Sequence, residues 1–454
     1  MIQPPVGFVF KPPRRFFCSI REVLFEMLLV TIVFLVLLLM GMPVAFAIGI
    51  GGLVFFLQNP NLPITIPIQL SISQTQNFAL LAIPMFILAG NLMNGAGITR
   101  RLLDLSNVLV GHMRGSLAQV NVLLSTLMGG VSGSCIADAA METRMLGPEM
   151  MRRGYSKGYT VAVNVWTSLI TPIIPPGIGF ILYGTVGQVS IGRLFAGGVM
   201  PGLLLTAVYM AGVAIDARVK GFEPGRKERP TAAMVIKIGI YSSWALLFPV
   251  ALLFGLRMGI FTPSEIGAFA VFYAFFVGMF AHKDLTREEL RIVTRTTTED
   301  VGAVMFIIAL SAIFSYGIIW ERIPEVIAEF LLGVSGSNTY VLLTIIMVFL
   351  IIAGMFVDGA VLILMLTPIF LPIAKSAGFD PVHFGLIFVL TITMGNMTPP
   401  VGAAMYAGCT ILDCSIQDYV KESLSFFIGT IITILVLIIF PEITLYLPNL
   451  MFGR

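Results

Sequence analysis

A pair of adjacent prolines inside a long apolar run constrains this chain most strongly. The run over 391–408 reads TITMGNMTPPVGAAMYAG, and Pro399 and Pro400 at its centre lack a backbone N–H. Because a proline in a helix interior costs about 3 kcal/mol or more, the sequence predicts a helix that breaks here. In lipid, a broken helix persists only where protein or a polar cavity satisfies the freed carbonyl groups. A single break of this kind is equally compatible with a simple proline kink.

The composition places this break in a membrane. Of the 454 residues, 57% are hydrophobic and 11% are charged, whereas soluble domains carry about 25% charged residues. Apolar runs recur along the chain, which predicts an all-α polytopic membrane protein in a lipid bilayer. The four cysteines and three histidines show no metal-ligand spacing. We therefore expect no disulfide framework, no organic cofactor and no nucleic-acid partner.

Two segments of the chain contain apolar stretches that are too short to be ordinary pairs of membrane spans. Around 116–150 and around 339–375, two apolar arms flank a polar tip, and at least one arm of each pair is shorter than the roughly 20 residues that a span needs. This pattern predicts two re-entrant hairpins. Each hairpin is followed by an apolar helix with an internal proline pair, at about 155–188 and about 381–412.

An offset of 224 positions relates the two halves. It places Pro175 and Pro176 on Pro399 and Pro400, and in each half the pair follows the hairpin tip by 41 residues. Two proline pairs at one offset predict an internal repeat. The residue matches fade upstream of the hairpins, so we expect the repeat to be clearest from the hairpins onward.

Basic residues predict how the repeats are oriented. The loops 218–229 and 283–295 are rich in Lys and Arg, which favours the cytoplasmic side for both. Counting spans from these loops places the bases of the two hairpins on opposite faces, which is an inverted-topology repeat. The basic lead before residue 24 argues for the other orientation, unless 24–57 is one long helix or Met27 is the native start.

The two breaks offer oxygen atoms to a cation such as Na+. Unwound helices at the membrane midplane bind cations through backbone carbonyls and side-chain oxygens. Candidate ligands in the first half are Ser132, Ser134, Thr171 and the backbone near Pro176 and Gly177. Those in the second half are Asp358, Asn396, Thr398 and the backbone of Gly395 and Met397, with Gly402 beside the break. Asp358 is the strongest candidate, because an acid in an apolar hairpin is costly, although it also suits a helix N-cap.

A second group of residues is expected to line a substrate cavity. Its members lie near the first tip or along the broken helices: Asp138, Asn164, Trp166, Thr167, Pro175 and Pro399. The alternative for Asn164 and Thr167 is hydrogen bonding between neighbouring helices. For Glu142 and Arg144 we favour charges that reach the cytoplasmic mouth of the hairpin.

Four stretches of the chain resemble the large membrane subunit of TRAP (tripartite ATP-independent periplasmic) transporters. They are GGVSGSCIADAAM, RRGYSKGYTVAVNVWTSLITPIIPPGIGFILYG, GMFVDGAVLILMLTPIFLPIAKSAGFDP and GNMTPPVGAAMYAG. The resemblance covers the chain from about residue 27 onward. It implies a multi-pass importer in the bacterial inner membrane, coupled to two or more Na+ ions. It also implies a periplasmic substrate-binding protein, a small four-helix membrane subunit expected on a separate chain, and an organic-acid substrate of the C4-dicarboxylate or sialic acid class.

The resemblance further implies an elevator mechanism, in which a transport domain slides against a scaffold. Mapped onto this chain, the parts follow in order: a polar lead over 1–26, scaffold helices over 27–77, a first transport half over 78–190, scaffold helices and cytoplasmic loops over 191–298, a second transport half over 299–415, and a C-terminal scaffold helix over 416–454.

Three other functions compete with this one. A stand-alone Na+/carboxylate symporter of similar fold would need no binding protein. An intramembrane enzyme would need a Ser/Lys, paired-Asp or HExxH arrangement within the spans, and the sequence contains none, so no catalytic residue is predicted. A channel is disfavoured, since two occluding hairpins of opposite orientation predict alternating access.

Overall fold

The computed structural model describes residues 14–226, 228–335 and 338–453. Residues 1–13 of the expected polar lead and Lys227 of the first basic loop lie outside the described residues. The described part of the lead is helical from Arg14. Helices account for nearly all regular structure in the described ranges, as expected of a chain whose backbone groups must be satisfied within lipid.

The first half of the chain contains ten helices. They are α1 Arg14–Leu39, α2 Val44–Gln58, α3 Ile66–Thr75, α4 Ala82–Gly95, α5 Ile98–Val110, α6 Ser116–Met128, α7 Cys135–Arg152, α8 Lys157–Thr167, α9 Ile178–Gly187 and α10 Ile191–Val219.

The remainder of the described chain contains eleven more. They are α11 Ala232–Tyr241, α12 Ser243–Arg257, α13 Pro263–Phe276, α14 Arg287–Trp320, α15 Ile323–Ser335, α16 Thr339–Gly354, α17 Gly359–Ser376, α18 Pro381–Gly395, α19 Ala403–Leu412, α20 Ile416–Ile439 and α21 Pro441–Phe452.

The protein is a multi-pass membrane protein. Within the described ranges, six helical segments are long and apolar enough to cross a bilayer, or up to eight if each of two bent helix pairs counts as one span. One bent pair is α11 and α12, which meet at an angle of 68°. The shorter apolar helices include α9, α18 and α19 of the broken helices and the first arm of the first hairpin (α6, its tip 129–134, and α7). Whether the first hairpin and the second hairpin (α16, its tip 355–358, and α17) are re-entrant stays a prediction.

Helix boundaries repeat at the offset of 224. The offset places the first residue of α7 on the first residue of α17, and the last residue of α7 on the last of α17. The starts of α8 and α18 coincide in the same way. The correspondence continues upstream, since α5 shifted by 224 falls within one residue of α15 at both ends. The helix boundaries thus coincide at the second arms of the hairpins and agree to within one residue at α5 and α15 upstream, where the residue matches fade.

The two halves also exchange contacts. A methyl group built on Gly147 of α7 would lie 2.9 Å from Leu412 Cδ1 of α19. One built on Gly187 of α9 would lie 2.5 Å from Leu371 Cδ2 of α17. The offset carries Gly147 onto Leu371 and Gly187 to within one residue of Leu412. The same contact is thus made twice with the partners exchanged, which is how a two-fold relation appears in an interface.

Two long helices pack on the hairpins and broken helices. Helix α20 packs along α8, where Trp166 meets Phe427 edge-on at 6.1 Å between ring centroids and Tyr159 lies 6.3 Å from Phe426. Helix α10 contacts α6, α9, α18 and α20. Buried aromatic pairs of this kind contribute about 0.5–1.5 kcal/mol beyond the area that they bury.

Several sequence expectations need correction in detail. The alternative of one long helix over 24–57 is excluded, because Gly41 adopts a φ of +81° and Pro43 precedes α2. The basic loop 283–295 is helical from Arg287, since the Thr286 side chain caps α14 by accepting from the Glu289 N–H. The C-terminal part over 416–454 is not a single helix, because Pro441 starts a further helix, α21. Helix α3 was missed, since its ten residues are only weakly apolar.

Candidate functional site

The tip of the second hairpin docks on the break between α18 and α19. The Val401 and Gly402 N–H groups both donate to the Met355 carbonyl, at 3.2 Å each. A methyl group built on Gly354 would lie 2.7 Å from the Ile392 carbonyl oxygen and 3.0 Å from the Gly395 Cα atom. Only glycine permits two backbones to approach this closely. The tip and the break therefore form one packed unit.

Most carbonyl groups released by the second break have donors. The Asn396 carbonyl accepts from the Ala404 N–H at 3.1 Å, and the Gly395 carbonyl accepts from the Thr398 hydroxyl at 2.9 Å. The Met397 carbonyl accepts from the Tyr419 hydroxyl of α20 at 2.6 Å. A carbonyl oxygen carries two lone pairs, so one hydrogen bond leaves room for a cation. Gly402, with a φ of +32°, starts α19.

Asp358 is an N-cap. Its Oδ1 accepts from the Ala360 N–H at 2.9 Å at the start of α17. The capping alternative raised by the sequence is therefore confirmed. Capping occupies only part of the acceptor capacity of a carboxylate, which offers about four lone-pair sites. Cation binding by Asp358 stays a prediction.

The first tip is built in a related way. Ser134, which the offset places on Asp358, is the N-cap of α7 and accepts from the Ala137 N–H at 3.4 Å. The Ser132 hydroxyl accepts from the Ser134 N–H at 3.4 Å. Gly133 packs against the Pro176 carbonyl at the first break, where an added methyl group would lie only 2.5 Å from that oxygen. Gly177 follows directly and precedes α9. The first tip therefore also meets its own break.

The two halves meet at Cys135, which sequence reasoning did not single out. The Asn396 amide of the second break lies 3.8 Å from the Cys135 sulfur at the start of α7. The carboxyl groups of Asp138 and Asp358 both lie close enough to act electrostatically on that sulfur. Asp138 and Asp358 thus approach a common centre, although each belongs to its own tip. The position of Cys135 in the repeat could have indicated this residue. The offset of 224 pairs Cys135 with Gly359, and each is the first residue after a hairpin tip.

Asp138 is the buried acid of this centre. Its side chain is 1% exposed, and its Oδ2 has no hydrogen-bond partner among the described residues. The hydroxyls of Ser132 and Thr171 face the carboxyl group. Thr171 also lies 3.4 Å from the Ser125 carbonyl oxygen. The Asp138 carboxyl group and the two hydroxyls form a set of oxygen atoms, which suits a hard cation.

The other residues predicted to line a substrate cavity are spread along the helices. Asn164 donates to the Thr160 carbonyl at 2.7 Å, and Trp166 packs on Phe427 of α20. Thr167 donates to the Val163 carbonyl at 2.8 Å. Both of these hydrogen bonds lie within α8. Between helices, the Thr167 hydroxyl accepts from the Asn121 amide of α6 at 3.0 Å, which is the alternative that the sequence left open for Thr167. The remaining two candidates lie in the breaks themselves, and the peptide bonds Pro175–Pro176 and Pro399–Pro400 are both cis.

The position expected for Glu142 was wrong. Its side chain is fully buried, at 0% exposure, and does not reach a mouth of the hairpin. It lies between α6 and α8, where Ser125 and Thr167 contact it. Arg144, two residues on, is exposed as expected. A helical face explains the difference, since positions 138 and 142 share the inner face of α7 and position 144 lies on its outer side.

A cavity of about 810 Å³ lies away from the tips, between α14 and α15 on one side and α9 and α17 on the other. Thr367 and Lys375 of α17 line one wall, and Ser315 and Glu325 line the other. Ser73 and Gln74 of α3 line it as well. The cavity therefore lies mainly among helices of the two expected transport halves and reaches α3 of the expected scaffold.

Comparison with known proteins identifies the family. Residues 31–443 match the family described as "Tripartite ATP-independent periplasmic transporter, DctM component". The chain belongs to this family. It is 32% identical over 421 residues to the sialic acid TRAP transporter large permease protein SiaM of Vibrio cholerae, covering 92% of this chain and 97% of that protein. It is 33% identical over 401 residues to the C4-dicarboxylate TRAP transporter large permease protein DctM of Pseudomonas aeruginosa, covering 88% and 92%.

A solved structure shares the fold of this large permease. The YdaH transporter of Alcanivorax borkumensis superposes with a TM-score of 0.58 at 12% sequence identity, over 82% of this chain and 87% of that one. At this identity the likeness shows the fold alone. The named relatives are permeases of transporters and not enzymes, and the family description is that of a transporter with three components.

Proposed function

We propose that this chain is the large membrane subunit of a Na+-coupled importer of organic acids that depends on a substrate-binding protein. The observation that carries the proposal is the convergence of the two tips and two breaks around Cys135 and Asn396. Broken helices that meet with exposed oxygens are the usual basis of a coupled ion site in transporters. The relatives named for sialic acid and for C4-dicarboxylates support a carboxylate-bearing substrate.

The mechanism proposed is alternating access by an elevator motion. The moving part would contain both hairpins and both broken helices, and the repeat would be inverted across the membrane. The packing of α10 and α20 on these elements favours including both helices in the moving part. This extends the boundaries expected from the sequence, which placed 191–298 and 416–454 in the scaffold. The cavity of about 810 Å³ would then reach the sliding surface only where α3 of the scaffold lines it.

The proposed partners are a small four-helix membrane subunit on a separate chain and a periplasmic substrate-binding protein, with the complex in the bacterial inner membrane. Na+ would be a co-transported substrate. Its ligands would come from Asp138, Ser132 and Thr171 in the first half. In the second half they would come from Asp358, Asn396 and Thr398. A Na+ ion bound at both tips holds them closed on the breaks and so couples ion loading to the motion.

Uptake into proteoliposomes tests the proposal. The large permease is reconstituted with the small membrane subunit, and labelled sialic acid and C4-dicarboxylates are added together with the binding protein. We expect uptake that needs an inward Na+ gradient and the binding protein. Uptake that persists without any binding protein would favour the stand-alone symporter, and uptake that is indifferent to Na+ would contradict the coupling.

A further inference from the structure

A buried carboxyl group remains that the proposed Na+ sites do not use. Glu142 of α7 is 0% exposed and belongs to neither tip nor break. Its Oε1 lies 2.8 Å from the Ser125 hydroxyl of α6, and its Oε2 lies 3.3 Å from the Thr167 hydroxyl of α8. The amide of Asn121, also fully buried, faces the same carboxyl group. Glu142 is therefore enclosed by polar atoms from three helices.

No positive charge compensates this carboxyl group within the described ranges. Helices α6, α8 and α19 pack against α7, and α6 carries no titratable side chain. On α8, Lys157 approaches the Asp413 carbonyl and Tyr159 stacks near Tyr155, both about two turns or more from Thr167. On α19, Tyr406 is exposed and Cys409 neighbours Cys414. On α7 itself, Asp138 lies one turn away from Glu142 and acts on it electrostatically. An ionised Asp138 has the same sign as an ionised Glu142 and therefore repels it.

The hydrogen-bond donors around Glu142 are neutral and mostly shared with other acceptors. Ser125 has one hydroxyl proton but two acceptors within reach, Glu142 Oε1 and the Asn121 carbonyl oxygen at 3.1 Å. Thr167 lies closer to the Val163 carbonyl, at 2.8 Å, than to Glu142. The Asn121 amide donates one N–H to the Thr167 hydroxyl at 3.0 Å, which leaves one N–H for the carboxyl group. An ionised carboxylate would thus be buried among shared neutral donors, whereas a protonated one carries a donor of its own.

The internal repeat does not carry this polar group into the second hairpin. The offset of 224 puts Leu366 at the position of Glu142 and Phe349 at that of Ser125. Phe349 is 46% exposed and Leu366 is half-buried, whereas Ser125 and Glu142 are fully buried. The enclosed polar group is therefore a feature of the first hairpin that its counterpart lacks.

We propose that Glu142 binds a proton during the transport cycle and that the bound proton holds the first hairpin in its closed arrangement. The role in transport rests on the proposed function. The contacts of 2.8 and 3.3 Å between oxygens have hydrogen-bond lengths, as expected where a proton is shared. The proton is taken from water and returned to water when the hairpin opens, and no bond between heavy atoms changes. The closed hairpin is therefore stable at low pH and is lost as the pH rises through the titration of this group.

Uptake measured at a fixed Na+ gradient, from about pH 5 to about pH 9, tests the role in transport. We expect wild-type uptake to fall on the alkaline side, approaching ten-fold per pH unit, which is the limit for one proton. Glu142→Gln stays neutral at every pH, so its uptake should lose this dependence. Glu149→Gln on the same helix is the matched control, since Glu149 lies at the surface beside Arg152 and Arg153 and should keep the wild-type profile. Identical pH profiles for wild type and Glu142→Gln would overturn the proposal.

Infrared difference spectroscopy on the purified permease tests the protonation without any transport. Glu142→Gln keeps the shape and the hydrogen bonding of the side chain but has no carboxyl group, so it is the reference variant. The difference between wild type and this variant should contain the carbonyl stretch of one protonated carboxylic acid, which disappears when the pH is raised. A difference spectrum with only carboxylate bands would overturn the proposal. If the reconstituted complex transported nothing under any condition, the proposed function would fail while this measurement still decided the state of Glu142.

Discussion

The docking of the second tip on its break can be tested by adding one methyl group. Gly395→Ala introduces a Cβ atom that overlaps the backbone of Gly354, and both partners are backbone atoms that cannot rotate away. Overpacking of this kind costs about 1–3 kcal/mol. If that energy is lost from the docked state alone, the equilibrium between docked and undocked tip shifts by roughly 5- to 150-fold. We expect weaker Na+ dependence of uptake and a lower thermal unfolding midpoint.

The matched control is Gly212→Ala. Gly212 lies inside α10, and no atom lies within 4 Å of a Cβ added there. This substitution should stabilise the helix by about 0.5–1 kcal/mol, opposite in sign to Gly395→Ala. Gly354→Ala perturbs the same contact from the other side, so the double variant should cost less than the sum of the two. Wild-type stability and Na+ dependence in Gly395→Ala would refute the docking of tip on break.

Three further substitutions probe other parts of the molecule. Asp358→Ala removes a helix cap and a proposed Na+ ligand. It should lower the free energy of unfolding by about 0.5–2 kcal/mol and raise the Na+ concentration for half-maximal uptake. An unchanged Na+ response would exclude Asp358 from the Na+ site. Tyr419→Phe leaves the buried Met397 carbonyl without its donor and should cost about 1–3 kcal/mol in thermal unfolding; no loss would show that water replaces the hydroxyl. Gly158→Ala adds a Cβ atom 2.6 Å from the Asp418 carbonyl oxygen and should cost about 1–3 kcal/mol by overpacking the contact between α8 and α20. An unchanged thermal unfolding midpoint would contradict that packing.

Local sequence signals predicted the parts of the fold that depend on one or two residues. Proline pairs marked both breaks, and Ser134 and Asp358 marked the starts of the second hairpin arms, because capping and the missing N–H act on the nearest turn. The basic stretch after residue 283 misled, since positive charge indicates the side of the membrane but does not stop a helix, and α14 continues through it.

What the sequence could not predict depends on packing between distant segments. The burial of Glu142 is decided by Ser125 and Thr167, which lie on two other helices. The approach of Asn396 to Cys135 joins residues 261 positions apart, and no periodicity encodes it. The packing of α20 on α8 likewise comes from aromatic side chains that read as ordinary lipid-facing residues in sequence.

Direct binding of 22Na+ to the purified large permease, in complex with its small subunit, tests the central claim most directly. The account predicts at least two bound ions per complex in the wild type. It also predicts the loss of one in Thr171→Ala and of another in Asn396→Ala, because these residues belong to different breaks. Equal binding in the wild type and both variants, or no saturable binding at all, would contradict a Na+ site built from the two broken helices.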